Sequence, residues 1–206
     1  MRTASATARA QHGAIDFNRF RQPIEFLFEE HDRQRVICAA FELLAHDCTA
    51  DRAPEIAALV LGYLEHEMPL HIADEEEDLF PLLTRRCAPE DEFEELVALL
   101  SSEHETDEIR YLALLAPLRA IVNGLHPPDP VQFAADARAL AVRQRRHLGW
   151  ENGTVLPLAR RRLTAADTGP NWDARWRSGG AFPIALDWLI VGDFQPTRRS
   201  NGIVLL

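Results

Sequence analysis

Two segments of the chain share one pattern: residues 71–81 read HIADEEEDLFP, and residues 147–157 read HLGWENGTVLP. In both, a His is followed by a Glu at the fourth position and by a Pro at the tenth. Side chains four residues apart lie on the same face of a helix, with their Cβ atoms about 5–6 Å apart. The pattern therefore predicts two helices, each presenting a His and a Glu that reach one ion or two adjacent ions.

A second repeat precedes each of these segments. Glu30-His31-Asp32 lies 40 residues before His71, counted from His31, and Glu103-His104-Glu105 lies 43 residues before His147, counted from His104. The similar intervals indicate that the chain contains two related helix pairs.

Apolar residues recur at three- and four-residue spacing between residues 20 and 163, and alternating, strand-like runs are scarce. The pattern predicts four long helices, bounded by turn signals and by capping residues such as Asp129 followed by Pro130. The predicted helices run from Pro23 to Ala45, from Pro54 to about Thr84, from beyond Pro89 to about Val122, and from Asp129 to about Leu163. Each of Pro69, Pro81, Pro117 and Pro157 should kink or interrupt its helix.

Four such helices with short connections predict an all-α fold, an antiparallel four-helix up-down bundle over residues 20–163. Residues 1–19 are expected to be a disordered leader. Residues 164–206, rich in Gly and Pro, are expected to form a short irregular C-terminal appendage. Its tryptophans, Trp172, Trp176 and Trp188, either cap the bundle or contact a protein partner.

Charge and composition exclude several classes of protein. The net charge of −10 opposes general binding to nucleic acid phosphates. The acids concentrate in residues 1–108 and the arginines in residues 109–206, so the two halves should attract each other. The apolar runs are too short to cross a bilayer. Three cysteines without a CxxC pair indicate neither a disulfide framework nor a zinc–thiolate site, which favours a reducing cytoplasm.

An antiparallel bundle would bring the repeated polar residues together at its centre. Buried His and Glu side chains without partners are costly, whereas a cation compensates the carboxylates and uses the imidazole lone pairs. The expected metal ligands are His31, His71, Glu75, His104, His147 and Glu151, with Glu108, four residues after His104, as a seventh. Glu67 is an alternative partner for a ligating imidazole. The remaining histidines, His12, His46, His66 and His126, are not expected to be ligands.

Mixed nitrogen and oxygen ligands suit iron best, and manganese or zinc fit the same donors. We expect two iron ions, bridged by Glu75 and Glu151, with an open coordination position for a small oxidant.

These residues resemble a hemerythrin-like domain of the HHE cation-binding family, most specifically over His71 to Pro81. The resemblance implies a bundle with a non-haem di-iron centre, used for oxygen carriage or sensing, iron sensing, nitric oxide responses or repair of damaged iron centres. Hemerythrins proper carry a second His where this chain has Glu108. The added negative charge should favour ferric ions, so we expect oxidation by oxygen to be irreversible.

Three functions remain open at this stage. The first is a binding or sensing module that responds to oxygen, nitric oxide or iron status and reports through its tail to a partner. The second is a di-iron oxidoreductase that reduces peroxide or nitric oxide, although no electron-donor domain is recognisable. The third is an interaction bundle in which the metal is structural.

Overall fold

Residues 23–167 are described by the structure, a computed structural model, and they form four long helices without any strand. Helix α1 is Pro23–His46, α2 spans residues 53–86, α3 is Phe93–Val122 and α4 spans residues 130–162. The all-α prediction is confirmed. Within these residues no helix is long and apolar enough to cross a membrane. The predicted leader and all but the first residues of the predicted appendage lie outside the described range.

The helix boundaries follow the sequence signals closely. Asp129 caps α4, since its side chain accepts a hydrogen bond from the backbone N–H of Gln132 at 2.9 Å. The segment after Pro89 differs from a single continuous helix. A short 3-10 turn, Pro89–Asp91, comes first, and Glu92 then adopts a left-handed backbone with φ of 51°. This conformation ends the turn, so α3 begins at Phe93.

Neighbouring helices run antiparallel, because the contacts between them join residues in reversed order. Glu25, near the start of α1, pairs with Arg160 near the end of α4 at 2.7 Å. Arg138, early in α4, donates to the backbone carbonyl of Ala45 near the end of α1. α1 packs mainly against α4, and α2 mainly against α3. The result is an up-down-up-down four-helix bundle.

Ion pairs join the acidic first half of the chain to the basic second half. Besides Glu25 with Arg160, Asp91 pairs with Arg162 at 2.8 Å and Glu42 accepts from Arg145 at 2.9 Å. Each exposed pair of this kind contributes only about 0–1 kcal/mol. The ion pairs therefore link the two halves of the chain while each adds little to stability.

The apolar core is divided into two clusters with a polar layer between them. One cluster includes Leu44, Val60 and Leu118, and the other includes Leu27 and Leu79. On every helix the buried polar residues lie between the segments that supply these clusters. The bundle therefore holds a buried polar layer with apolar packing above and below.

Three of the four internal prolines are accommodated by π-helical turns. The turns are Tyr63–Glu67, Asp74–Leu79 and Glu151–Val155, and the prolines that follow are Pro69, Pro81 and Pro157. In each turn the residue before the proline donates its backbone N–H to the carbonyl five positions earlier, as Phe80 does to Glu75. Pro117 lies within α3 without such a turn. The predicted interruptions are thus local changes of helical winding at three of the four positions.

Candidate metal centre

Six of the seven residues predicted as ligands meet in the polar layer. They form two groups, and the ligating atoms of each group lie within 4.8 Å of one another. The first group is His31, His71, Glu75 and Glu151, and the second is Glu75, His104, His147 and Glu151. All six side chains are buried. Since Glu75 and Glu151 belong to both groups, the arrangement consists of two adjacent positions that share two carboxylates.

The four histidines turn the same atom toward the shared carboxylates. Nε2 of His71 and of His104 each lie 3.4 Å from Oε2 of Glu75, and Nε2 of His147 lies 2.7 Å from Oε1 of Glu151. Nε2 of His31 lies between the two carboxylates, 3.7 Å from Glu75 and 3.5 Å from Glu151. The donor atoms of both positions therefore converge on the bundle axis.

The opposite ring nitrogen of each histidine is held by an oxygen from another helix. The Nδ1 contacts are His71 to Glu30 at 3.3 Å, His31 to Asn152 at 2.8 Å, His104 to Glu76 at 2.6 Å and His147 to Glu103 at 3.0 Å. Donation from Nδ1 fixes the ring orientation and leaves the Nε2 lone pair for the centre of the site. Such contacts are typical of histidines that ligate metals.

Sequence reasoning missed these four hydrogen-bond acceptors, although a signal for them existed. Glu30 and Glu103 immediately precede predicted ligands, and Glu76 and Asn152 immediately follow them. Adjacent residues of a helix point about 100° apart, so a neighbour of an inward ligand faces the next helix. The candidate alternative, Glu67, instead contacts Arg33 at 3.4 Å.

The contacts repeat with the chain's internal duplication, with one exception. Glu30 and Glu103 each bond to a histidine of their own repeat, and Glu76 and Asn152 each bond to one of the other repeat. The exception is chemical, because Asn152 is neutral where its counterpart Glu76 carries a charge. The histidines of the second group are both backed by carboxylates, whereas those of the first are backed by one carboxylate and one amide.

The two shared carboxylates give the site its electrostatic character. Burial opposes ionisation of Glu75, but the charge of His71 and the nearby imidazoles of His104 and His31 outweigh it, so the pKa of Glu75 lies well below its usual range. Burial likewise opposes protonation of His71, yet Glu75 and Glu30 raise its pKa to about 9. For His104, burial is outweighed by the nearby carboxylates of Glu75 and Glu76, and the pKa rises to about 10. Without a metal, His71 and His104 therefore retain protons that compensate the charge of the shared carboxylates.

A cation fits this donor set better than those protons do. Neither oxygen of Glu75 or of Glu151 has a hydrogen-bond partner with acceptable geometry in the described part of the chain, and Nε2 of His31 has none either. The short contact of His147 with Glu151 meets the distance for an ion pair but not the angles of a hydrogen bond. Buried carboxylate oxygens without hydrogen bonds are rare unless a cation compensates them.

Glu108 belongs to neither group, so its role as a seventh ligand stays a prediction. Its side chain is exposed, and the buried polar positions of this part of α3 are Glu103, His104 and Asp107. Glu108 instead lines the small cavity beside His104.

The other histidines lie away from the centre. His46, His66 and His126 are exposed and belong to neither group, and His12 is outside the described residues.

Two of the π-helical turns begin at or beside the shared carboxylates, at Asp74 and at Glu151. Turns of this type inside α-helices are frequent at functional sites.

Comparison with known proteins identifies the family of the chain. A family model described as the hemerythrin HHE cation binding domain matches residues 22–159. The chain belongs to this family of cation-binding helical domains. No curated protein and no solved structure matches the chain.

Proposed function

We propose that the chain binds two iron ions in the shared-carboxylate site and uses them to bind or respond to a small oxidant such as oxygen or nitric oxide. The observation that carries the proposal is the pair of fully buried carboxylates whose four oxygens lack hydrogen-bond partners within residues 23–167, faced by four histidine Nε2 atoms. Iron suits this mixture of nitrogen and oxygen donors, and manganese and zinc are the competing metals.

Each part of the chain contributes a separate function at this site. Two iron ions would supply redox chemistry and open coordination positions. Glu75 and Glu151 hold both positions, and each pair of histidines completes one of them. The Nδ1 partners orient the rings, and the apolar clusters on both sides limit the access of water. A sensing or binding module is favoured over a structural metal site because a small cavity reaches three of the histidines, His71, His104 and His147.

The proposal predicts about two iron ions per chain after anaerobic reconstitution, since the two donor groups are both complete. Elemental analysis measures the content, and optical titration of the di-ferrous protein with oxygen, nitric oxide and peroxide measures the response. Less than one tightly bound ion per chain would contradict the shared-carboxylate site. Catalytic consumption of peroxide or nitric oxide would identify an oxidoreductase, and a metal spectrum that no oxidant changes would identify a structural site.

Oxidation by oxygen is expected to persist when oxygen is removed under argon. Glu108 is exposed and belongs to neither donor group, so the expectation does not rest on it alone. Negative charge also comes from the two shared carboxylates and from the acids behind the histidines, such as Glu76 and Glu103. Return of the di-ferrous spectrum without a reductant would instead indicate reversible oxygen carriage.

The variant Glu103→Ala is expected to lower the binding affinity for one of the two ions by about 10- to 100-fold. This is the usual effect of removing an outer partner of a ligating histidine. Glu103 contacts Nδ1 of His147, which belongs to only one donor group. Competition with a chelator would then show one ion released early and one retained. The matched control is Glu105→Ala, an exposed acid on the same helix that should leave both affinities unchanged. Equal weakening of both ions, or of neither, would contradict the assignment of His147 to a single position.

A further inference from the structure

Gln34 is a buried polar side chain that the proposed metal centre does not use. It lies on α1 three residues after His31 and is 3% exposed. Its Nε2 has no hydrogen-bond partner in residues 23–167. An amide donor buried without a partner costs about 1–3 kcal/mol, so its presence needs an explanation.

The internal duplication shows why this donor is left without a partner. The counterpart of Gln34 in the second repeat is Asp107, three residues after His104. Asp107 is satisfied, because it accepts from Arg143 at 2.6 Å and from Gln144 at 3.3 Å. Gln144 lies three residues before His147, and the residue three before His71 is Met68.

Met68 cannot serve Gln34 as a strong acceptor. Its thioether sulfur is a weak acceptor and already receives the Tyr63 hydroxyl at 3.9 Å. The first repeat therefore has an amide and a thioether, Gln34 and Met68, at the positions where the second repeat has a hydrogen-bonded carboxylate and amide, Asp107 and Gln144. This difference leaves the Gln34 amide donor without a partner among the described residues beside the metal centre.

A small cavity lies at this place. Its lining includes Gln34, Met68, His71, His104, Tyr111 and Gln144. The empty volume is about 260 Å³ including its open mouth, and the enclosed part has room for about one water-sized molecule. The cavity thus connects the surface with histidines of both donor groups, and Gln34 lines its wall.

We propose that Gln34 positions the small ligand that enters this cavity, by donating a hydrogen bond from Nε2 to an acceptor atom of that ligand. The inference rests on the proposed function, because the ligand would be held between Gln34 and the metal centre. The ligand class is a molecule of two or three heavy atoms with an exposed lone pair. The enclosed part has room for about one water-sized group, so one end of such a ligand would enter it while the remainder lies in the open mouth of the cavity.

The test uses azide, a small anion with acceptor atoms, and the iron-loaded, oxidised full chain. Azide binding is followed by optical titration in the wild type and in Gln34→Leu, which keeps the volume and removes the donor. The dissociation constant should rise about 10-fold or more, as expected for loss of a hydrogen bond to a charged ligand. The matched control is Gln132→Leu, an exposed glutamine on α4 whose loss should not change azide affinity.

Stability separates a positioning role from a structural one. Because Gln34 Nε2 has no hydrogen-bond partner to lose among the described residues, Gln34→Leu should keep or raise the denaturation midpoint of the iron-loaded chain. A lower midpoint with unchanged azide affinity would overturn the proposal. If the leucine variant does not fold, Gln34→Glu preserves the shape, and its charge should weaken azide binding further; unchanged affinity in that variant would also overturn it.

Failure of this inference is distinguishable from failure of the proposed function. If the wild-type chain takes up no iron, or if azide leaves the spectrum of the loaded chain unchanged, the proposed function fails and the Gln34 proposal falls with it. If azide binds the wild type and Gln34→Leu equally well, only the role of Gln34 is excluded.

Discussion

The double variant Glu75→Gln, Glu151→Gln is expected to retain less than about one-tenth of the wild-type iron, because loss of ligands exceeds the roughly 10- to 100-fold cost of losing an outer partner. Both carboxylates belong to both donor groups, so no complete group remains. The amides keep the shape of the side chains but remove the charge that compensates a cation. Elemental analysis after anaerobic reconstitution measures the effect.

Two comparisons make this result specific to the shared carboxylates. The exposed pair Glu94→Gln, Glu105→Gln removes the same charge from α3 and should leave the iron content unchanged. The single variant His147→Ala removes a ligand from one group only, so about one ion should remain. Unchanged iron in the double variant would move the site elsewhere in the chain.

The fold was predictable because its signals are local. Apolar spacing, the Asp129 cap and the prolines at helix starts each act within a few residues, and they set the helix boundaries. The duplicated His and Glu pattern then specified which faces meet. The π-helical turns were harder to foresee, because a proline predicts only that the regular hydrogen bond is lost and not how the chain winds around it.

Which side chains contact each other across helices depends on how each helix is rotated about its own axis, and the spacing of residues in the sequence does not define that rotation. Glu108 follows His104 by the same four residues that separate Glu75 from His71, yet it belongs to neither donor group, so spacing alone does not define its position. The role of Glu30 in place of Glu67 depends on the neighbouring helix, since Glu67 contacts Arg33. That the Gln34 amide lacks a hydrogen-bond partner within residues 23–167 is recognised only when the structural neighbours of both repeats are compared.

Metal removal should make the stability of the chain depend strongly on pH. In the metal-free chain the pKa of His71 is about 9 and that of His104 about 10, because Glu75 and the outer acids outweigh the effect of burial. In the unfolded chain a histidine titrates near 6.5. Between these values the folded state binds more protons than the unfolded state, so raising the pH destabilises it.

The direction of this dependence follows from the raised pKa values. The stabilisation is fully present below about pH 6.5 and is lost as the pH rises through about 9 to 10. For each proton retained by the folded state, the free energy of unfolding should fall by up to about 1.4 kcal/mol per pH unit. Urea denaturation in the presence of a chelator, at several pH values from 6 to about 10, measures this slope.

The metal-loaded chain is the matched control, because a bound ion replaces the Nε2 protons. Its stability should vary much less over the same range, and its metal affinity should rise with pH because protons no longer compete for the imidazoles. In the metal-free chain, His104→Gln should make the decline shallower at the upper end, where that histidine would otherwise release its proton. A metal-free chain that gains stability between pH 7 and about 10 would show that the imidazoles are not held protonated by the shared carboxylates, and the charge balance assigned to the site would then be wrong.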